Sequence, residues 1–136
     1  MKSRFLSSLG FTMIELLVAA TILAVISGIA LVSFSSANVR ARDGKRKGDM
    51  EQARSALELY RSDIGYYPKN YSLSNASWTA MVTIISGAGY LSSTSIFDPK
   101  NINLFVYQYS SDANGKTYQV CAYLESTVAN YCLTNP

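Results

Sequence analysis

The chain has no histidine, two cysteines, three prolines and one tryptophan, and only 15% of its residues are charged. Each scarcity removes a class of function. Without histidine, the commonest general base and metal ligand at neutral pH is missing. Cys121 and Cys132 fall short of the four ligands that a structural zinc takes. No Gly-rich phosphate loop and no nucleophile set beside a base occurs, so nothing signals an enzyme or a resident cofactor. A hydrophobic content of 49% excludes a disordered polymer, and 136 residues exclude a large catalytic domain. Room is left for one head of roughly 75–100 residues behind an atypical N-terminal segment.

A basic footprint on the head is missing too. From residue 63 onward, Lys69, Lys100 and Lys116 stand against Asp63, Asp98, Asp112 and Glu125, so no nucleic-acid partner is expected. The positive charge lies instead in Lys2 and Arg4 and in Arg40, Arg42, Lys45, Arg46 and Lys47. That second cluster reads as the solvated or headgroup-level flank of a membrane segment.

What is present is a 24-residue run from Phe11 to Phe34 whose single charge is Glu15. At ~1.5 Å per residue it suffices to cross a ~30 Å hydrocarbon layer. It has no polar stripe, and a chain this small cannot wrap such a helix in protein. Three readings compete: an ordinary secretory signal, a permanent anchor, and a leader removed ahead of a retained helix. Ser35-Ser36-Ala37 offers a passable signal-peptidase site, but the run is too long for a signal core. No cysteine lies nearby for a lipoprotein linkage. Gly10, a small residue, precedes the run, where a peptidase at the cytoplasmic face can reach it, and Glu15 lies just inside. A carboxylate in lipid costs up to ~2.5–3.5 kcal/mol at the bilayer centre, so an intramembrane Glu is functional by default. A plain anchor gains nothing from it.

Beyond the run, Met50, Ala53, Leu57, Tyr60 and Ile64 recur at spacings of 3 and 4, an apolar seam on a helix. The expected helix covers residues 12–62 and is ~75 Å long, apolar all round in its first half and amphipathic in its second. Gly65 and Pro68 end it. Gly28, Gly44 and Gly48 are weak points, with Gly28 a place for close helix packing and 44–48 a place for melting in a polymer. Trp78, Met81, Val82 and Ile85 predict a second helix, capped by Ser74 or Asn75 and ended by Gly87. Leu104–Tyr109 and Thr117–Leu124 alternate as strands around the turn Asp112-Ala113-Asn114-Gly115, and Tyr131–Thr134 is a third. The fold class is α+β: a long N-terminal helix packed against a small antiparallel sheet. The chain divides into 1–10, a leader; 11–36, a transmembrane helix; 37–64, its amphipathic continuation; and 65–136, the head.

Cys121 and Cys132 pair as a disulfide if the head reaches an oxidising compartment. The ten tyrosines serve packing, with one side in the core and a wet hydroxyl, rather than a sugar or base platform. Asp98, Asp112 and Asn114 are weak Ca²⁺ candidates without EF-hand spacing.

The string Gly10-Phe11-Thr12-Met13-Ile14-Glu15-Leu16 resembles the processing motif of type IV pilins and type II secretion pseudopilins. The resemblance implies cleavage between Gly10 and Phe11 by a prepilin peptidase, N-methylation of Phe11 and use of Glu15 in assembly. Ala56–Pro68 is similar to the corresponding helix end of the major type II secretion pseudopilin. Gly89-Tyr90-Leu91 followed by Asp98-Pro99 resembles it more loosely. Implied partners are copies of the chain or other pilins in a helical filament, the prepilin peptidase, an inner-membrane assembly platform and lipid. The implied location is the inner membrane with the head outside the cytoplasm. Against that topology, the five bases at 40–47 outweigh Lys2 and Arg4 under the positive-inside rule. A structural filament subunit is the first reading and a membrane-anchored adhesin or DNA-uptake pseudopilin the second. Val32, where many major pilins carry proline, and the 56–68 patch lean toward secretion, and the C-terminal cysteines toward pilins.

Overall fold

The computed structural model describes residues 10–69 and 71–135, with the backbone alone for 30–33. The apolar run and the amphipathic seam belong to one helix, α1, Met13–Ile64, two residues longer at its C-terminal end than the periodicity predicts. The chain forms two bodies, Met1–Ala37 and Asn38–Pro136.

In the first body the described side chains of α1 are exposed, and none of its most apolar window is covered by protein. Thr12 caps the helix: its hydroxyl accepts from the Glu15 N–H at 3.3 Å and its carbonyl from the Leu16 N–H. Thr12-x-x-Glu15 is the sequence of a capping box.

In the second body the seam behaves as its spacing requires. Met50, Ala53 and Leu57 are wholly buried, Ala56 joins them, and Tyr60 is half-buried. Ile64 departs from the expectation and is exposed. It sits at the last helical position, where Gly65 (φ 91°) turns the chain away and donates its N–H back to the Arg61 carbonyl.

A four-residue strand that the sequence pattern did not announce, β1 (Tyr71–Ser74), leads into α2 (Asn75–Gly87). Ser74 is the N-cap, its hydroxyl accepting from the Ser77 N–H. α2 ends at Gly87 as expected. The left-handed residue that closes it is Gly89 (φ 85°), which donates to the Ser86 carbonyl while Tyr90 donates to that of Ile85, a Schellman closure. The expected strand at Leu104–Tyr109 is displaced. Asn101 and Asn103 take left-handed conformations, and a turn closes from the Phe105 N–H to the Ile102 carbonyl, so pairing begins only at Gln108. β2 (Gln108–Ser111), β3 (Tyr118–Leu124) and β4 (Ala129–Thr134) complete an antiparallel sheet in the order β1-β2-β3-β4. Cys121 and Cys132 are direct partners across β3 and β4 and are joined as a disulfide.

The core lies between α1, α2 and one face of the sheet. Trp78 packs edge-on to Tyr107 and donates its indole N–H to the Ile96 carbonyl, so its one polar atom is satisfied. The β2–β3 turn is held at its base by Asp112, whose Oδ1 accepts from the N–H groups of Lys116 and Thr117. Gly115 in that turn has φ 64°, accepts from the Tyr67 N–H, and leaves only 2.5 Å between a would-be Cβ and the Tyr67 carbonyl oxygen.

Two glycine substitutions should therefore diverge. Gly115→Ala forces both a left-handed side chain and a backbone clash, and is expected to destabilise the head by about 1–3 kcal/mol. Gly87→Ala meets nothing within 4 Å and is expected to stabilise by about 0.5–1 kcal/mol. Thermal unfolding of the detergent-solubilised chain, followed by circular dichroism, checks both signs.

Candidate functional site

Two groups of residues bear on function, one in each body. The first is the segment Gly10–Glu15. Gly10 and Phe11 precede the helix in coil, and Phe11 is 83% exposed. Glu15 lies in the first turn of α1, where a carboxylate complements the helix dipole. Phe11, Glu15, Leu16 and Ala19 line one open surface depression. Coil at Gly10 to Thr12, an exposed Phe11 and a carboxylate one turn inside the helix thus stand on consecutive parts of one short segment.

The second group was not foreseen. Arg46 is completely buried, and all three of its guanidinium nitrogens donate hydrogen bonds. Nε and Nη2 donate to the two carboxylate oxygens of Asp98 at 2.7 and 2.9 Å. Nη1 donates to Asp43 at 2.8 Å and to Glu125 at 2.7 Å. Glu125 is also gripped bidentately by Arg42, at 2.7 Å on each oxygen, and by the Lys100 ammonium at 2.7 Å. Asp43 accepts the backbone N–H groups of Glu125 and Ser126, at 2.9 and 2.8 Å. Three cations and three anions therefore neutralise one another and tie α1 to the loop after Asp98 and to the β3–β4 turn. Arg46 and Lys100 also lie over the Phe105 ring, 5.0 and 4.4 Å from its centroid.

This corrects the reading of the 40–47 cluster as a solvated flank. Arg46 is a core residue and Arg42 is paired, while Arg40, Lys45 and Lys47 are exposed. The missed signal was available. The seam runs backward from Leu57, Ala53 and Met50 to Arg46 and Asp43 with the same 4-3-4-3 spacing, so periodicity alone puts both charges on the buried face.

The acids respond as such a cluster requires. Burial alone would raise Asp43, but hydrogen bonds from Ser126, the Glu125 and Ser126 N–H groups and Arg46 bring its carboxyl down to about 2. Burial opposes ionisation of Asp98 as well, and Arg46 with the Lys100 N–H overcomes it, leaving the pKa lowered. Arg42 first, then Lys100 and Arg46, hold Glu125 far below the usual carboxylate range.

A second set of contacts joins the sheet to the helix. Tyr107 donates to Asp49 at 2.6 Å, Tyr67 and Tyr118 to Glu58 at 2.9 and 3.2 Å, and Tyr90 to Asp63 at 2.8 Å. These hydroxyls are not simply wet, as expected from composition, but bind carboxylates on α1. Of the Ca²⁺ candidates, Asp98 has both oxygens on Arg46, and Asp112 and Asn114 lie in the β2–β3 turn. The structure does not bring the three together, and among the described residues no group of three His, Cys, Asp or Glu side chains is placed to hold a metal. At Gly28, Gly44 and Gly48 nothing lies within 4 Å of a would-be Cβ, and α1 continues through all three.

A long N-terminal helix with an apolar first half and a four-stranded antiparallel sheet is a pilin-like α+β architecture. Residues 7–31 match the family model of the prokaryotic N-terminal methylation motif, the class III signal of type IV pilins and pseudopilins. The match covers the N-terminal motif alone, and it supports a type IV pilin-like precursor. No curated protein and no solved structure matches the chain.

Because each cluster carboxyl has a folded pKa below its unfolded value of about 4, the unfolded state takes up more protons as pH falls. The stabilisation is fully present above about pH 5 and is lost progressively toward pH 2 and below. Arg46→Leu leaves three buried acids without their shared partner and should cost about 3–5 kcal/mol at pH 7. It should also flatten the acid limb of the stability–pH curve. Denaturant midpoints measured from pH 7 to pH 2 on both proteins check the size and the slope.

Proposed function

We propose that the chain is a structural subunit of a type IV pilus-like or type II secretion pseudopilus filament, assembled from the inner membrane after a prepilin peptidase cuts between Gly10 and Phe11. The observation that carries this reading is the methylation-motif match over 7–31, on a helix start where Gly10 and Phe11 are accessible and Glu15 lies one turn inside.

The physical logic follows from the cut. A new ammonium at Phe11 sits beside the positive end of the α1 dipole and in lipid, and both disfavour it unless a carboxylate is near. The Glu15 of a subunit displaced along the filament axis supplies that carboxylate, and the pairing sets axial register, the best-attested use of a buried charge pair. Methylation of the Phe11 nitrogen keeps its charge. With the head outside the cytoplasm, the Cys121–Cys132 pair forms in an oxidising compartment. Partners are copies of this chain or other pilins, the peptidase and a membrane assembly platform. Between the two filament types, the resemblance of 56–68 leans toward secretion and the C-terminal cysteine pair toward pilins.

Intact mass spectrometry of the membrane-extracted protein is expected to show loss of residues 1–10 and one added methyl on Phe11. A chain retaining Met1, or one beginning after Ala37, would remove the prepilin reading.

A further inference from the structure

The end of the second body nearest Asn38 carries an unusual surface. β3 runs from Tyr118, whose hydroxyl reaches Glu58, to Leu124, which precedes the turn held by Asp43. The β3–β4 turn and the loop 98–105 therefore lie at the level of residues 42–46 of α1, at the end where the chain leads back to the apolar run. The ion cluster fixes both: Lys100 binds Glu125, and Asp98 binds Arg46. Tyr123 and Phe105 pack edge-on, and Asn103, Leu104, Tyr123 and Asn130 line one small cleft, so the two loops form a continuous surface.

That surface presents Ile102, Leu104 and Val128 at 57%, 68% and 72% exposure. The described non-glycine residues with positive φ are Asn101, Asn103 and Val128, all in these two loops. For a β-branched valine that conformation is costly, and strained backbone of this kind persists where the surroundings impose it. On α1 at this level the exposed bases are Arg40, Lys45 and Lys47, the last with its ammonium 5.5 Å from the Tyr131 ring centroid, while the acids at this end are taken up by the cluster or, for Asp49, by Tyr107. Apolar side chains rimmed by uncompensated bases are the chemistry of an interface with an anionic bilayer. Covalent geometry keeps that bilayer in reach: Arg42 is eight residues beyond Phe34, a span of at most about 28 Å even when fully extended.

We propose that this pole is a membrane-docking surface: before assembly the head rests on the anionic lipid surface, with Ile102, Leu104 and Val128 entering the interfacial layer and Arg40, Lys45 and Lys47 facing lipid phosphates. The proposal rests on the reading of the N-terminal helix as a membrane anchor. It gives the ion cluster a second consequence, since the same charges that pin the loops to α1 hold the apolar tips outward.

The test uses the full chain reconstituted in vesicles of phosphatidylcholine alone or with phosphatidylglycerol. A single added cysteine, Val128→Cys or Leu104→Cys, carries an environment-sensitive fluorophore, the native pair being closed as a disulfide. Leu73→Cys in β1 is the control, exposed but on a strand paired to Tyr109 and Ser111. The expected result is a blue shift and quenching by headgroup-depth spin-labelled lipid at 128 and 104 but not at 73, stronger with phosphatidylglycerol. Lys45→Gln and Lys47→Gln should each weaken the anionic-lipid effect by about fivefold. A chain that fails to float with the vesicles overturns the anchor reading itself. A chain that floats with equal quenching at 128 and 73 overturns the docking surface alone. A blue shift that grows with protein-to-lipid ratio without lipid quenching assigns the pole to a second copy of the chain and likewise overturns the proposal.

Discussion

The buried Arg46 guanidinium is the constraint on which the second body depends. Its donors bridge three acids from three separate parts of the chain: Asp43 on α1, Asp98 before the irregular loop and Glu125 at the β3–β4 turn. A cation without those partners would carry a desolvation penalty of several kcal/mol, so the helix, loop and turn can only adopt their places together. The apolar seam of Met50, Ala53 and Leu57 supplies most of the non-directional attraction in the same body. Hydrophobic packing tolerates small slides along a helix axis, whereas bidentate geometry does not. The cluster thus fixes at which turn of α1 the sheet is mounted, and the tyrosine–carboxylate contacts at Asp49, Glu58 and Asp63 repeat that anchoring further along the helix.

The filament subunit proposed above would need this. Its helix must offer an apolar surface to lipid first and to neighbouring subunits later, so that part of the chain cannot contribute to a core of its own. The head must then be stabilised by what remains: a short seam, a four-stranded sheet, one cross-strand disulfide and charge pairs. The disulfide closes an 11-residue separation on the edge strand β4, where pairing on one side only would leave the strand prone to fray.

Much of this was legible in the sequence. The 24-residue run with one acid, the seam from Met50 to Tyr60, the α2 positions Trp78 to Ile85 and the Asp112–Gly115 turn each rest on local periodicity or turn chemistry, and each is found. What failed did so for identifiable reasons. The strand expected from Leu104 was lost to two asparagines that accept left-handed geometry. β1 is four residues long and exists only because β2 is there to pair with it. Arg46 was read by its charge instead of by its position in the seam, because a buried arginine requires partners at Asp98 and Glu125, 52 and 79 residues away. Composition gave the tyrosines their packing role but not their acceptors, which also depend on tertiary placement.

The central claim, that the chain works as a polymer ordered by its N-terminal segment, is tested most directly with Glu15→Gln in cells that assemble the wild-type filament. Membrane fractionation and sheared-polymer yield are the readouts. Removing the carboxylate takes away a charge that lipid disfavours, so the monomer should reach the membrane at normal levels with a native, disulfide-closed head. It should enter little polymer, because the Phe11 ammonium of each adjoining subunit would be left unpaired, a defect of about 3–5 kcal/mol repeated along the filament. Polymer at wild-type yield in Glu15→Gln, from cells with equal membrane monomer, would contradict the claim.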